Sequence, residues 1–546
     1  MKDIIPQFFL SVKHYTREQF VKDAVSGIIV AIIALPLSIA LALASGVTPE
    51  QGLYTAIVAG FVISLLGGSK VQIAGPTAAF ASIVAGIVLK NGLDGLAAAT
   101  IMAGIIMVIM GFFRLGSLIR FIPYTITTGF TTGIAVTILI GQIKDFLGLT
   151  FEKAPVETME KLEQVISCLG TFNPMALAVG VTALAVLIIW PRYFKKVPPS
   201  LVAVILTAVL VKALDLPVHT IGDLYTISPS LPAFHIPKLS LSMMQRVLPD
   251  AVTIALLAAI ESLLSCVVAD GMIGSRHNSN MELIAQGVGN TCSALFGGIP
   301  ATGAIARTAA NVKNGGRTPV AGMIHAVLLL LILIFLMPYA ALIPMPAIAA
   351  ILFMVAYNMS EWREFLFIVK TSPKSDWSVL LVTFVLTVVF DLVMAIGVGL
   401  VFASLLFMKR MADVAEVNGW RYLEDGEEDC DGDSVDLKPV PRHVAVFEIN
   451  GPMFFGAADK ISKVVLEDGK RVLILRMRSV PAMDATALKS LKKLYHNLKR
   501  KNVILVLSHV NEQPMWVMEK AGFLEDMGRE NIAGCIDEAL LRASAL

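Results

Sequence analysis

Two charged residues stand where few charges belong. Glu261 lies in the middle of the apolar run 252–268 (VTIALLAAIESLLSCVV), and Arg307 lies within 304–311 (AIARTAAN), directly after a Gly-rich stretch. A charged side chain at bilayer depth costs about 2.5–3.5 kcal/mol on insertion scales, so it needs a partner, a water path or a proton. A buried carboxylate that loads and releases H⁺ is a coupling device, and this is the chemistry expected of Glu261; a fixed structural pair with Arg307 is the alternative. Arg307 is expected to neutralise a substrate carboxylate or oxyanion, the alternative being a partner to Glu261 or a backbone clamp. Ser265 follows Glu261 by one helical turn on the same face. Its hydroxyl either lines the site or bonds its own helix carbonyl.

Small residues surround these charges in a repeated pattern. Residues 65–68 (LLGG) recur at 295–298 as LFGG, and each copy leads into a small-residue run, 69–80 (SKVQIAGPTAAF) and 299–310 (IPATGAIARTAA). Irregular backbone at membrane depth is tolerated only inside protein or beside a water-filled cavity. The runs therefore read as extended chain entering two half-helices. Gly75-Pro76-Thr77 is expected to start the first, with Pro at an early helical position, and Thr302 or Gly303 to start the second. Two half-helix N-termini meeting near the midplane offer free N–H groups and partial positive charge, which makes an anion site. Gly75, Pro76, Thr77, Ala78, Ala79 and Phe80 would line one side; Gly303, Ala304, Ile305, Ala306 and Arg307 would line the other. Close packing of helices through small residues is the competing reading.

The elements that must position these residues follow from charge distribution. Of the 86 Asp, Glu, Lys and Arg residues, 46 fall in residues 1–410 and 40 in the last 136. The first part has membrane-domain composition and the second that of an ordinary soluble domain. The expected organisation is a cytosolic N-terminal segment 1–23, a transmembrane domain 24–410, an acidic flexible linker 411–441 and a cytosolic domain 442–546. With 56% hydrophobic residues, disorder, a disulfide scaffold and a plain soluble enzyme are excluded, and a net charge of +2 gives no reason to expect a nucleic-acid partner. The five cysteines show no metal-ligand or paired spacing, and no metal or cofactor is expected.

Fourteen spans can be read from the apolar runs, among them 74–89, 95–113, 249–270, 282–297 and a weak one at 300–313. With a cytosolic N-terminus this count puts 18 basic residues in inside segments and 7 outside, in keeping with the positive-inside rule. The two small-residue runs then open spans three and ten. Seven is odd, so the copies face opposite ways, which is the inverted repeat of many secondary transporters.

Taken together, residues 49–54 (PEQGLY), 75–80 (GPTAAF), 261–270 (ESLLSCVVAD), 282–290 (ELIAQGVGN) and 296–311 resemble the SulP (sulfate permease) family of anion transporters. The resemblance implies an α-helical membrane protein of 14 transmembrane segments as a 7+7 inverted repeat. Its core domain would hold spans 1–4 and 8–11, its gate domain spans 5–7 and 12–14. It implies a homodimer, an elevator-type motion and residence in the bacterial inner membrane with both termini cytosolic. Glu261 with Arg307 favours the proton over sodium as coupling ion. Pro36-Leu37-Ser38 departs from the Pro-Gln of many sulfate-type members. Residues 304–311 with Asn358-Met359-Ser360 look most like the bacterial C4-dicarboxylic acid transporter branch, with sulfate or bicarbonate transport as the alternative.

The C-terminal domain alternates strands (444–449, 472–477, 503–510) with helices (457–466, 485–500), a small α/β layer pattern. It resembles the STAS domain that ends SulP proteins, with a cytosolic protein as its possible partner. Members of the related anti-sigma antagonists carry a phosphorylatable Ser after an Asp; here Ala485 follows Asp484. Asp484 reads as a helix N-cap, and Thr486 is the alternative modification site. The rival functional class is an anion channel or a membrane sensor, with an uncoupled exchanger between them. A membrane enzyme is not expected, because no nucleophile–base or metal constellation is visible.

Overall fold

The computed structural model describes residues 5–546 apart from 14, 118–122, 152–154, 156, 195–196, 226–229, 238–239, 391, 415, 420–439 and 455–468. It divides into two compact units, residues 1–400 and 401–546. The first is helical. α1 (Gln7–Val12) precedes α2 (Arg17–Ala44), α3 (Pro49–Leu66), the two-residue strand β1 (Ala74–Gly75), a 3-10 turn (Ala78–Phe80) and α4 (Ala81–Phe112). Then come α5 (Tyr124–Leu147), α6 (Thr158–Ser167), α7 (Pro174–Tyr193), α8 (Pro199–Ala213) and the short α9 (Ile221–Leu224). The second half runs α10 (Leu241–Ile273), α11 (Ser279–Leu295), β2 (Thr302–Gly303), α12 (Ile305–Lys313) and α13 (Val320–Ala340). It ends with α14 (Met345–Met359), α15 (Trp362–Thr371) and α16 (Lys374–Val389), and α17 (Leu392–Val414) runs across the division at residue 400.

Every expected span has a helix. Spans 74–89 and 95–113 are joined in α4, which breaks helical geometry only at Gly92. Among the described residues, seven helices (α2, α3, α4, α5, α7, α10 and α13) are long and apolar enough to cross a bilayer alone. Two of the others fall short for identifiable reasons. α12 has nine residues, and α11 buries Glu282, Gln286, Asn290 and Ser293 along one stripe. α2 starts at Arg17, so the last part of the expected segment 1–23 is helical, and Asp23 is fully buried there. It accepts bonds from Tyr15 Oη, Gln19 Nε2 and the backbone N–H groups of Arg317 and Thr318.

Helix packing sorts the unit into two groups. α4 packs on α10 and α11, and α3 and α2 pack on α13, whereas α5 packs on α14 and α16, and α7 on α8 and α14. The first group holds both half-helices. Within it α4 and α11 cross closely: a Cβ on Gly104 would strike the Gly287 carbonyl, and one on Gly287 the Gly104 carbonyl. Small residues let the backbones approach to that distance.

The second unit carries a five-stranded sheet in the order β3–β4–β5–β6–β7: β3 (Glu416–Gly419), β4 (Val444–Asn450), β5 (Val472–Ser479), β6 (Ile504–Ser508) and β7 (Ile532–Ala533). β3 pairs antiparallel to β4, and the remaining pairs are parallel. Helices α18 (Ala485–Arg500), α19 (Glu512–Lys520), α20 (Phe523–Met527) and α21 (Ile536–Ser544) follow the strands. Leu488, Leu491, Leu494 and Leu498 of α18 are buried, an i, i+3, i+6/i+7, i+10 stripe that faces the sheet. One reading changes. Residues 416–419, assigned by composition to the linker, form an edge strand against β4. The expected helix 457–466 and the acidic stretch 424–436 lie outside the described residues. Asp484 is the N-cap of α18 and accepts from Ala487 N at 2.8 Å.

Candidate anion site

The two small-residue runs meet as strands. β1 pairs antiparallel with β2, Ala74 opposite Gly303 and Gly75 opposite Thr302. Ala304 N adds a bond to Ile73 O at 2.9 Å. Each strand then turns into a helix. Thr77, extended, precedes the 3-10 turn and α4, while Ala304, also extended, precedes α12. Both half-helix starts differ from expectation. Pro76 sits before the cap rather than inside the helix, and Thr302 and Gly303 are strand, so α12 opens at Ile305. Backbone pairing between the runs satisfies groups that a longer helix would have used, and leaves the first-turn N–H groups of each helix without intrahelical acceptors.

Polar side chains lock both crossings. Glu282 of α11, fully buried, accepts from Gly68 N (2.9 Å), Ser69 N (3.1 Å), Gln72 Nε2 (2.9 Å) and Gln286 Nε2 (3.0 Å). Asn290 brackets Ala301 through both its N–H and its carbonyl, each at 2.8 Å. Thr302 Oγ1 donates to Ala258 O at 3.0 Å, one turn before Glu261. Hydrogen bonds to a charged group contribute about 1.5–3 kcal/mol each. Replacing Glu282 with alanine strands several buried donors, and is expected to lower stability by about 3 kcal/mol or more, read as a lower melting temperature in detergent.

Arg307, the third residue of α12, is 1% exposed. Its Nη2 donates to Pro76 O (3.2 Å) and Ser38 Oγ (3.3 Å), while Nε and Nη1 have no protein acceptor among the described residues. The alternative pair with Glu261 is not formed. Glu261, partly accessible, accepts instead from Thr77 Oγ1 at 2.9 Å. Ser265 does not reach Glu261 either. Its hydroxyl donates to Thr308 Oγ1 (3.3 Å), which also accepts Ile73 N (3.0 Å), so Ser265 braces β1 against α12.

The other expected lining residues divide by accessibility. Thr77, Ala304, Ile305 and Ala306 reach the surface of the crossing, with Ile305 44% exposed. Gly75, Pro76, Ala78, Ala79, Gly303 and Arg307 lie beneath it. Phe80 is buried within the apolar cluster of the helices. Gly75 matters for what it lacks. A Cβ there would collide with Arg307 Nη1. Gly75→Ala is therefore expected to push the guanidinium aside and lower anion affinity at least tenfold with little change in melting temperature, by equilibrium binding of labelled sulfate.

Residues 20–383 match the Sulfate permease family and residues 437–539 the STAS domain. The chain belongs to the sulfate permease family. YvdB of Bacillus subtilis (strain 168), which carries a provisional sulfate-transporter name, is 40% identical over 96% of this chain and 98% of its own. The bicarbonate transporter BicA of Picosynechococcus sp. (strain ATCC 27264 / PCC 7002 / PR-6) is 32% identical over 85% of this chain and 84% of its own. The solved transmembrane domain of a cyanobacterial BicA aligns with a TM-score of 0.62 at 30% identity, covering 71% of this chain and 98% of that one. Murine Slc26a9, an anion transporter solved in the inward-facing state, shares the fold: TM-score 0.89, 18% identity, 100% of this chain and 94% of that one. This member of the sulfate permease family is thus a multi-pass membrane transporter of anions with a C-terminal STAS domain.

Sequence reading missed Ser38, Thr308, Glu282 and Asn290. A signal existed for the last two: Glu282, Gln286, Asn290 and Ser293 repeat at helical spacing, a polar stripe inside an apolar unit.

Proposed function

We propose that the protein is a proton-coupled secondary transporter that carries a small oxyanion across the bacterial inner membrane. The observation that carries this reading is the Arg307 guanidinium at the crossing of β1 and β2. It is held from one side by Ser38 and Pro76, and Nε and Nη1 are left for a ligand. Preorganised donors in apolar surroundings favour an anion strongly. Glu261 reaches the same crossing through Thr77. Protonating Glu261 removes a negative charge beside the incoming anion, which links the two loads. Gly75, Pro76, Thr77, Ala78, Ala79 and Phe80 on one strand-helix junction, and Gly303 to Arg307 on the other, form the proposed substrate site. Glu261 carries the proton, and Ser265 supports the junction.

Sulfate and bicarbonate are the first substrates to test, since relatives carry those names. A C4-dicarboxylate is the second reading, supported by residues 304–311 and Asn358-Met359-Ser360. Elevator movement of the half-helix group against the α5–α7–α14–α16 group, a homodimer, cytosolic termini and a protein partner for the STAS domain complete the reading. The test is uptake of labelled sulfate, bicarbonate and succinate into proteoliposomes, with and without an inward proton gradient. Gradient-dependent uptake of one anion supports the reading and names the substrate. Gradient-independent uptake removes the proton role, and steady anion current without a co-substrate makes the protein a channel.

A further inference from the structure

The sheet of the second unit ends in a polar row. Its parallel strands set side chains in register across one face. Val446 stands opposite Ile474 and Ile474 opposite Val506; two positions on, Glu448 stands opposite Arg476 and Arg476 opposite Ser508. The apolar row packs with Ile536, Ala539, Leu540 and Ala543 of α21. The polar row lies beyond that cluster, at the carboxyl ends of β4, β5 and β6. Open parallel sheets hold their ligands at that end.

The three side chains are withdrawn from water yet poorly matched to one another. Arg476 is 8% exposed and Ser508 fully buried. Ser508 Oγ has no hydrogen-bond partner among the described residues. There the guanidinium has one polar contact, Nη1 to Glu448 Oε2 at 3.8 Å. That is an ion pair in charge but too long for a hydrogen bond. Buried hydroxyls and charges are ordinarily hydrogen-bonded. A guanidinium, a carboxylate and a hydroxyl side by side, with their bonds unmade, suit a ligand that brings both acceptors and a donor.

We propose that Glu448, Arg476 and Ser508 form a second oxyanion site, in the STAS domain, that takes an oxyanion still carrying a proton. Bicarbonate and hydrogen phosphate share that chemistry at neutral pH, and sulfate does not. The ionised oxygen accepts from the Arg476 guanidinium in a charge-assisted bond. The ligand hydroxyl donates to the Glu448 carboxylate, and a further oxygen accepts from Ser508 Oγ. Sulfate has no proton to give, so its oxygens would meet the carboxylate as like charges away from bulk water. Arg476 supplies the affinity and Glu448 the choice among oxyanions. The site is built within the second unit and does not depend on the reading of Arg307.

The test is binding of bicarbonate, phosphate and sulfate to the detergent-purified full chain at pH 7.5, by calorimetry, in an Arg307→Ala background that removes the proposed membrane site. Bicarbonate or phosphate should bind, whichever the site accommodates, with sulfate at least tenfold weaker. Adding Arg476→Gln should weaken that binding at least tenfold. Adding Glu448→Gln should instead improve sulfate binding tenfold or more and weaken the protonated oxyanion, a gain that damage to the fold would not produce. The proposal is overturned if the Arg307→Ala chain binds neither bicarbonate nor phosphate. It is equally overturned if Glu448→Gln leaves the order of the three anions unchanged, a result that needs no Arg476 variant.

Discussion

Arg307→Ala is expected to reduce anion uptake to the level of empty liposomes and to weaken binding by about 10²–10³-fold, equivalent to about 3–4 kcal/mol. The guanidinium is fully buried, and its two protein bonds, to Ser38 and Pro76, use Nη2 alone. Alanine removes the remaining donors and the full positive charge that Arg307 brings to the crossing of β1 and β2. The half-helix N-termini persist, but their partial charges act alone. Arg307→Lys restores the charge without the planar fork, and should recover less than a tenth of wild-type uptake. Labelled-anion binding to purified protein reads both variants, and near-native affinity in Arg307→Ala would show that the anion sits elsewhere.

Glu261→Gln should separate transport from its driving force. Wild-type uptake is expected to rise as the outside pH falls, because the carboxyl must be loaded to cross. Glutamine holds the loaded, neutral form permanently and can still accept from Thr77 Oγ1, so the junction at Thr77 is kept. Gradient-driven accumulation should fall more than tenfold and the pH profile should flatten, while exchange of internal for external anion continues. Uptake assays at fixed internal pH check this. A variant with the wild-type pH profile would move the coupling role off Glu261.

Local pattern carried far, and long-range pairing did not carry at all. The amphipathic stripe of α18 marks its observed range, 485–500, since leucine spacing is a property of neighbours in sequence. The apolar runs likewise mark a helix at every span. The starts of the half-helices were misplaced because Pro76, Thr77, Thr302 and Gly303 are plausible caps by type. What decides among them is the bonding of residues 74–75 to 302–303. β3 was unreadable for the same reason, its partner β4 lying beyond a long acidic stretch. Glu261 and Arg307 were visible as charges in apolar surroundings, but their partners were not. Ser38 is 269 positions from Arg307 and Thr77 is 184 from Glu261.

The pairing of β1 with β2 also bears on the order in which the chain is made. Residues 74–75 enter the bilayer long before residues 302–303 leave the ribosome, and a strand edge in lipid leaves polar backbone unsatisfied. Glu282, which receives Gly68, Ser69 and Gln72, is likewise synthesised late. The first half of the protein therefore waits, with its junction exposed, for its inverted counterpart. An insertion intermediate ending near residue 230 should be a ready substrate for membrane proteases, and separately expressed halves should survive only when produced together.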